Sequence, residues 1–330
     1  MARRLGLGVA LASAVLLLAG AAHADYTLTV LHVNDVHAAF LPVKPDGSPC
    51  TPAERMSTQC EGGAALLAAA IEHERKTSPN VIVVAAGGFF AGSQLWDRYK
   101  DRLVSNLMTR MNFDALTVGA SEFVQGSPLL LEFIRSVHFP LLGANVYVQR
   151  EPLLKDQIFP ISVIERGGSR IGLVGYSAED IAQHSHPSPQ TQFKRIEDEI
   201  APWIRSMRGA LGANKVIAVS SAGIARDKEV AARIPGIDVI VAGNAATGTA
   251  PTYPLVIPGV GGKKVVLVQA GSFGRSLGKL VLVFDNKGAL KHFSGAPIPL
   301  DGSAPEDPVI RTYVDSLADA VALKPVTALR

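Results

Sequence analysis

The sequence predicts a layered α/β domain, on three observations. Apolar runs of strand length alternate with segments of helical period, 48% of the 330 residues are hydrophobic against 18% charged, and no repeat, charge block or low-complexity linker divides the chain. Disordered, collagen-like and small disulfide-framework classes are thereby excluded. The unbroken pattern argues for one large domain in place of the two that length alone allows.

Taken in order, Tyr26 to Asn34 alternates polar with aliphatic residues and reads as the first strand. Ala64 to Lys76 opens after a glycine pair and reads as the first helix. The apolar run Val81 to Ala86 reads as the next strand. Asp101 to Met111 is helical, Ala115 to Val118 a short strand, Leu129 to Val137 helical, and Phe139 to Val146 a strand. Ile171 to Tyr176, Val216 to Ser220 and Ile237 to Val241 are further strands, interleaved with helices at Ile196 to Leu211 and Asp227 to Arg233. After Gly261 the pattern changes: Lys264 to Ala270 and Lys279 to Asp285 are short alternating strands, and Asn286-Lys287-Gly288 is a hairpin turn, which predicts an antiparallel edge.

Residues 1–24 lie ahead of this pattern and read as a signal peptide. Arg3 and Arg4 precede an apolar run from Leu5 to Ala22, and Ala22-His23-Ala24 is a small-x-small cleavage pattern; an uncleaved anchor is the alternative. The mature chain then starts at Asp25 in an exported, periplasmic or extracellular compartment, with no membrane attachment after cleavage. Of 32 basic residues two are lost with the leader, leaving 30 against 29 acidic ones. Such a balance offers no basic stripe for a nucleic-acid polymer. In an oxidising compartment Cys50 and Cys60, in a loop rich in Pro, Ser and Thr, read as a disulfide staple, two free thiols being the alternative.

In a sheet of this kind, chemistry sits in the loops beyond the carboxyl ends of the strands. Of these loops only Asn34-Asp35-Val36-His37 holds a ligand pair, Asp35 and His37; the others, Gly87-Gly88-Phe89, Gly119-Ala120-Ser121-Glu122, Ser220-Ser221-Ala222 and Gly243-Asn244-Ala245-Ala246, are small, neutral or hydroxylic apart from Glu122. By itself Asp-x-His after a strand reads first as an Asx turn beside a loop histidine, with a metal pair as the alternative. His184-Ser185-His186 reads as a surface loop, His73 and His138 as solvated or locally satisfied, and His32 as a hydrogen-bonded packing residue. Neither a Gly-x-Ser-x-Gly elbow nor a Walker A loop is present.

The ordered motifs Leu31-His32-Val33-Asn34-Asp35-Val36-His37, Gly62-Gly63, Ala86-Gly87-Gly88 with Gly92, Tyr99-Lys100, Phe113-Asp114-Ala115, Gly119 to Glu122-Phe123, Phe139-Pro140 to Asn145, Gly236 to Val241, Gln269-Ala270 with Phe273-Gly274 and Leu277-Gly278, and Pro305-Glu306-Asp307-Pro308 resemble those of the 5'-nucleotidase / UDP-sugar hydrolase family. The resemblance covers essentially the whole mature chain. It implies a calcineurin-like metallophosphoesterase domain over residues 25–315, a four-layer α/β/β/α sandwich whose strand-end loops hold two divalent metals bridged by a carboxylate. It also implies that 316–330 is a truncated linker, with the family's C-terminal domain missing.

Carried over position by position, the resemblance leaves Asp35 and His37 as residual metal ligands. The bridging Asp falls at Gly88, the Asn ligand at Ala120, the catalytic His at Ser121 and its supporting Asp at Val124. The later His ligands fall at Ser221, Asn244 and Ala246, and the Arg after the glycine pair at Leu66. Glu122 survives as a possible assisting residue. Two ligands cannot hold two ions, which need about four donors each and a shared anion. The expectation is therefore no cofactor, or at most one weakly bound divalent metal, and a catalytically silent protein that binds an unidentified protein or small molecule. An active nucleotidase with a reduced metal site is the alternative. Refilling positions 88, 120, 121, 221, 244 and 246 with the family's ligands is expected to rebuild the centre.

Overall fold

The structure, a computed structural model, describes residues 25–321 except 47, 49, 52, 55–58 and 246–251. The expected leader and position 246 lie outside the described residues. The chain runs β1 (Tyr26–Val33), α1 (Ala64–Thr77), β2 (Val81–Ala85), α2 (Gln94–Arg110), β3 (Ala115–Thr117), α3 (Gly126–Ser136), β4 (Leu141–Leu142), β5 (Val146–Tyr147), β6 (Ile158–Phe159), β7 (Ile161–Arg166) and β8 (Ser169–Ser177). It continues α4 (Ile181–His184), β9 (Gln192–Phe193), α5 (Ile196–Arg208), β10 (Lys215–Ser221), α6 (Ile224–Arg233), β11 (Val239–Ala242), β12 (Leu255–Pro258), β13 (Lys264–Val268), β14 (Ser276–Phe284), β15 (Leu290–Pro299) and α7 (Pro308–Asp319).

Two sheets stack between two layers of helix, as the α/β/β/α expectation requires. One sheet has the order β15-β14-β1-β2-β3-β4-β6 and the other β12-β13-β11-β10-β8-β7. β2 shows why its residues make a central strand. Val81, Val83 and Ala85 enter the core beneath α1, α2, α3 and α7, while Ile82 and Val84 enter the core between the sheets. Period-two alternation with both faces covered requires an uninterrupted apolar run. Each such side chain contributes about 1.5–3 kcal/mol on full burial. A third core, between the second sheet and α5 and α6, gathers Val174, Ile200, Ile204 and Val230.

Two expectations are corrected. The helix read from Asp101 starts at Gln94, where the Ser93 hydroxyl accepts from the Trp96 amide at 3.1 Å; a break at Lys100 (φ 50°) hides its first half from a periodicity count. The strand read over 139–146 is broken after Leu142, because the Ala144 amide turns to the Gly175 carbonyl at 2.7 Å. The antiparallel edge expected after Gly261 is present, since the turn at 286–288 joins β14 to the antiparallel edge strand β15, while β13, in the other sheet, runs parallel to β11 and antiparallel to the edge strand β12. α7 runs across position 315; Asp307 caps it through the Val309 and Ile310 amides, each at 2.9 Å, and its Ile310, Val314 and Ala318 are buried, while residues 322–330 of the expected linker lie outside the described residues.

The parallel strands of both sheets end on one face, and the sheets meet there closely. The Thr117 hydroxyl donates to the Val219 carbonyl at 2.9 Å. A Cβ at Gly243 would lie 1.9 Å from the Ala86 carbonyl oxygen, so only glycine permits that approach. Beneath this face Tyr176 (2.8 Å) and Ser220 (2.5 Å) both donate to Oδ1 of fully buried Asp227, tying β8 and β10 to α6.

Burial pushes the Asp227 carboxyl up to about 7, against the hydrogen bonds from Ser220 and Tyr176. An unfolded carboxyl ionises near pH ~4, so between there and about pH 7 the unfolded chain releases this proton while the folded one retains it. Stability from this group is therefore complete below pH ~4 and falls as pH rises to about 7, by up to about 4 kcal/mol. Urea denaturation of wild type and Asp227→Asn across that range should show wild type losing stability relative to the variant. Parallel pH profiles would refute the assignment.

Candidate functional site

The strand-end face is organised by Asp35, which lies just beyond β1 and is 6% exposed. The parallel β1–β2 pairing continues past both strands as a ladder: Asp35 N donates to Gly87 O (3.0 Å), His37 N to Gly88 O (2.7 Å) and Ala38 N to Phe89 O (3.0 Å). The Asp35 carbonyl accepts from the Phe273 amide at 2.8 Å. Its carboxylate Oδ2 accepts from the Ala245 amide and from Asn34 Nδ2, each at 2.9 Å. One residue thus joins the loops after β1, β2, β11 and β13. Burial raises the carboxyl above its ordinary value, opposed chiefly by the hydrogen bonds from Ala245 and Asn34.

Glu122 is the second anchor. It is fully buried, and its carboxylate accepts from the amides of Gly119 (2.7 Å), Phe89 (2.8 Å) and Gly88 (3.3 Å) and from the Ser121 hydroxyl (2.8 Å). With four donors aimed at it, this carboxylate fastens the loops after β2 and β3 and has no lone pair turned to solvent.

Of the other expected positions, Gly88 is the most informative. Its φ is +81°, and a Cβ built there would lie 2.5 Å from Asp35 Cα and 2.6 Å from Asp35 Oδ1. The space for a bridging carboxylate is filled by the neighbouring loop. Ser221 Oγ lies where side chains on Gly87 or Gly119 would go, 2.7 and 2.2 Å from those Cβ positions. Ala120 is half-buried and its carbonyl accepts from Ser185 Oγ at 2.6 Å; Val124 closes the turn after Ser121; Asn244 is exposed at φ 54°. Leu66 points into the helix-side core. His37 is half-buried, its ring 5.4 Å from that of Phe273.

Five further histidines sit as the sequence reading placed them. His184 and His186 are exposed, and so are His73 and His138. His32 is fully buried, hydrogen-bonded through Nε2 to the Tyr253 hydroxyl at 2.8 Å, and pushed down to about 3 by burial. Cys50 and Cys60 form the disulfide. Among the described residues no group of three or more His, Cys, Asp or Glu side chains is placed to hold a metal ion, and the donors present do not fit a two-ion centre. Residues 34, 245 and 273 were not singled out as site residues from the sequence; the Phe273-Gly274 motif carried the signal for one of them.

The Gly88 geometry corrects the expectation that refilling the ligand positions rebuilds a centre. Gly88→Asp should cost at least about 2 kcal/mol, since it combines a positive φ with backbone overlap. Denaturation with and without Zn²⁺ or Mn²⁺ checks it. Unchanged stability, or stabilisation by the ions, would contradict the closed geometry.

No family model matches the chain. Curated relatives do: it is 34% identical over 305 residues to a 5'-nucleotidase of Homo sapiens, covering 88% of this chain and 52% of the relative. It is 32% identical over 308 residues to a snake venom 5'-nucleotidase of Naja atra, covering 89% and 57%. The chain therefore spans about half the length of the curated relatives it matches. Among solved structures, a 5'-nucleotidase precursor from Thermus thermophilus superposes with a TM-score of 0.82 at 29% identity, over 89% of this chain and 59% of that one. A calcineurin-like phosphoesterase from Bacillus subtilis, with TM-score 0.72 and 20% identity over 90% and 98% of the two chains, shares the fold. Ordered motifs, sandwich topology and these likenesses agree: over 88–89% of its length the chain is homologous to 5'-nucleotidases, and it has the fold of the calcineurin-like phosphoesterases.

Proposed function

We propose that this chain is an exported, catalytically silent member of its family that acts by binding a nucleotide-class ligand or a partner. The observation that carries the reading is the closure at Gly88: the position of the bridging carboxylate has neither a side chain nor room for one. The Asp35 carboxylate is committed to the Ala245 amide and Asn34, and Glu122 to loop amides. A phosphoesterase of this fold uses metals to bind phosphate and to lower the pKa of a bound water; no hydroxide nucleophile forms at neutral pH without that charge. The Cys50–Cys60 disulfide supports an oxidising compartment. Near-neutral charge argues against a nucleic-acid polymer. Among the described residues no helix is long and apolar enough to cross a membrane.

The test is to purify the mature chain, determine bound Zn, Mn and Co, and assay phosphate release from AMP and from a generic phosphodiester with each metal added. Substoichiometric metal and no release above background are expected. Metal-dependent turnover abolished by Asp35→Ala would overturn the reading in favour of a reduced but active site.

A further inference from the structure

We propose that a cavity in the helix layer over the first sheet, between α1, the end of α2 and the start of α7, binds a small monocarboxylate with an apolar body. The site is separate from the strand-end face, so it stands whether or not the chain is catalytically silent.

The cavity has a volume of about 430 Å³, within the range of small-molecule sites. Arg75, in the last turn of α1, and Arg110, in the last turn of α2, line it together. Both guanidinium groups are held in place. Arg75 donates through Nη2 to the carbonyls of Met111 (3.3 Å) and Asn112 (2.5 Å). Arg110 donates through Nε to Asn106 Oδ1 at 2.7 Å and lies over the Tyr313 ring, 5.4 Å from its centroid. The helix dipole favours a cation in each last turn, which explains the residue types but not their convergence on one cavity.

Neither arginine has an ion-pair partner among the described residues, although Arg75 is half-buried. A charge drawn out of water without a counter-ion bears a desolvation cost that nothing offsets. Asp114, whose charge attracts Arg75, is taken by Arg166. The two acids lining the same cavity are engaged as well: Glu72 pairs with Lys76 at 3.0 Å, and Asp307 Oδ1 accepts from the Val309 and Ile310 amides. What stays open is donor capacity, at Nε and Nη1 of Arg75 and at both terminal nitrogens of Arg110. Planar forks of this kind match the two oxygens of a carboxylate.

The rest of the lining narrows the class. Glu72 and Asp307 place two negative charges beside the arginines, which disfavours a dianionic phosphate more than a monoanion. Ile71 and Ile310 form a buried wall, and beside them Val309 is 61% exposed. An apolar body laid along that wall removes Val309 from water while its carboxylate meets the guanidinium groups.

Backbone amide NMR of the mature chain titrated with octanoate, 1-octanol and inorganic phosphate tests this. Octanoate should give saturable shifts in the last turn of α1 and the first turn of α7. 1-Octanol and phosphate should each bind at least about tenfold more weakly, the scale of a charge-assisted hydrogen bond. Arg110→Gln, which leaves the carbonyl bonds of Arg75 in place, should weaken octanoate by at least about tenfold. Absent or non-saturable octanoate shifts, shifts confined to the strand-end loops, equal binding of 1-octanol or phosphate, or undiminished binding by Arg110→Gln would each overturn the proposal.

Discussion

A carboxylate held out of water at the meeting point of four loops is the constraint on which the strand-end face depends. Removing the Asp35 carboxyl from solvent disfavours its charged form, and only well-placed donors offset that cost. The Ala245 amide and Asn34 supply them, while the Asp35 backbone holds the loops after β2 and β13. Leaving the two donors unpaired would cost about 1–3 kcal/mol each, more than the net value of the bonds themselves. Asp35 is therefore a structural hub at the position where the family resemblance places a metal ligand.

The same logic recurs at two more buried carboxyls. Glu122 collects four donors from the loops after β2 and β3, and Asp227 receives two hydroxyls from β8 and β10. Together they hold the ends of both sheets through protein hydrogen bonds, in the region where the family's plan calls for ions. The positive-φ backbone at Asp35, His37, Ala38, Asn244 and Phe273 shows how tightly these loops are determined.

Much of this was legible in the sequence, and the failures have physical causes. Strands buried on both faces, such as β2 and β10, announce themselves as apolar runs, and the ordered motifs marked the strand-end loops. The edge elements were harder. β7 pairs across the Gly167-Gly168 turn with alternating exposed residues, and β12 and β15 are short or half-exposed, so burial left little pattern to read. The Asp-x-His pair was visible; its engagement by Ala245 was not, because that partner lies 210 residues away. Nor could one chain reveal that Gly88 packs on the Asp35 backbone, since steric closure is a property of the assembled loops. The bonding of Glu122 was hidden for the same reason: its donors are mostly backbone amides, which carry no residue-type signature.

The central claim is that the Asp35 carboxylate is committed to the protein and not to an ion. Amide NMR reads this directly at Ala245 and Phe273, whose N–H groups are bonded to Asp35. The account predicts slow hydrogen exchange at both and chemical shifts that are the same in EDTA and in excess Zn²⁺ or Mn²⁺. Ion-dependent loss of protection at Ala245, with a saturable shift, would show that a metal takes the carboxylate from its amide partner and would contradict the account.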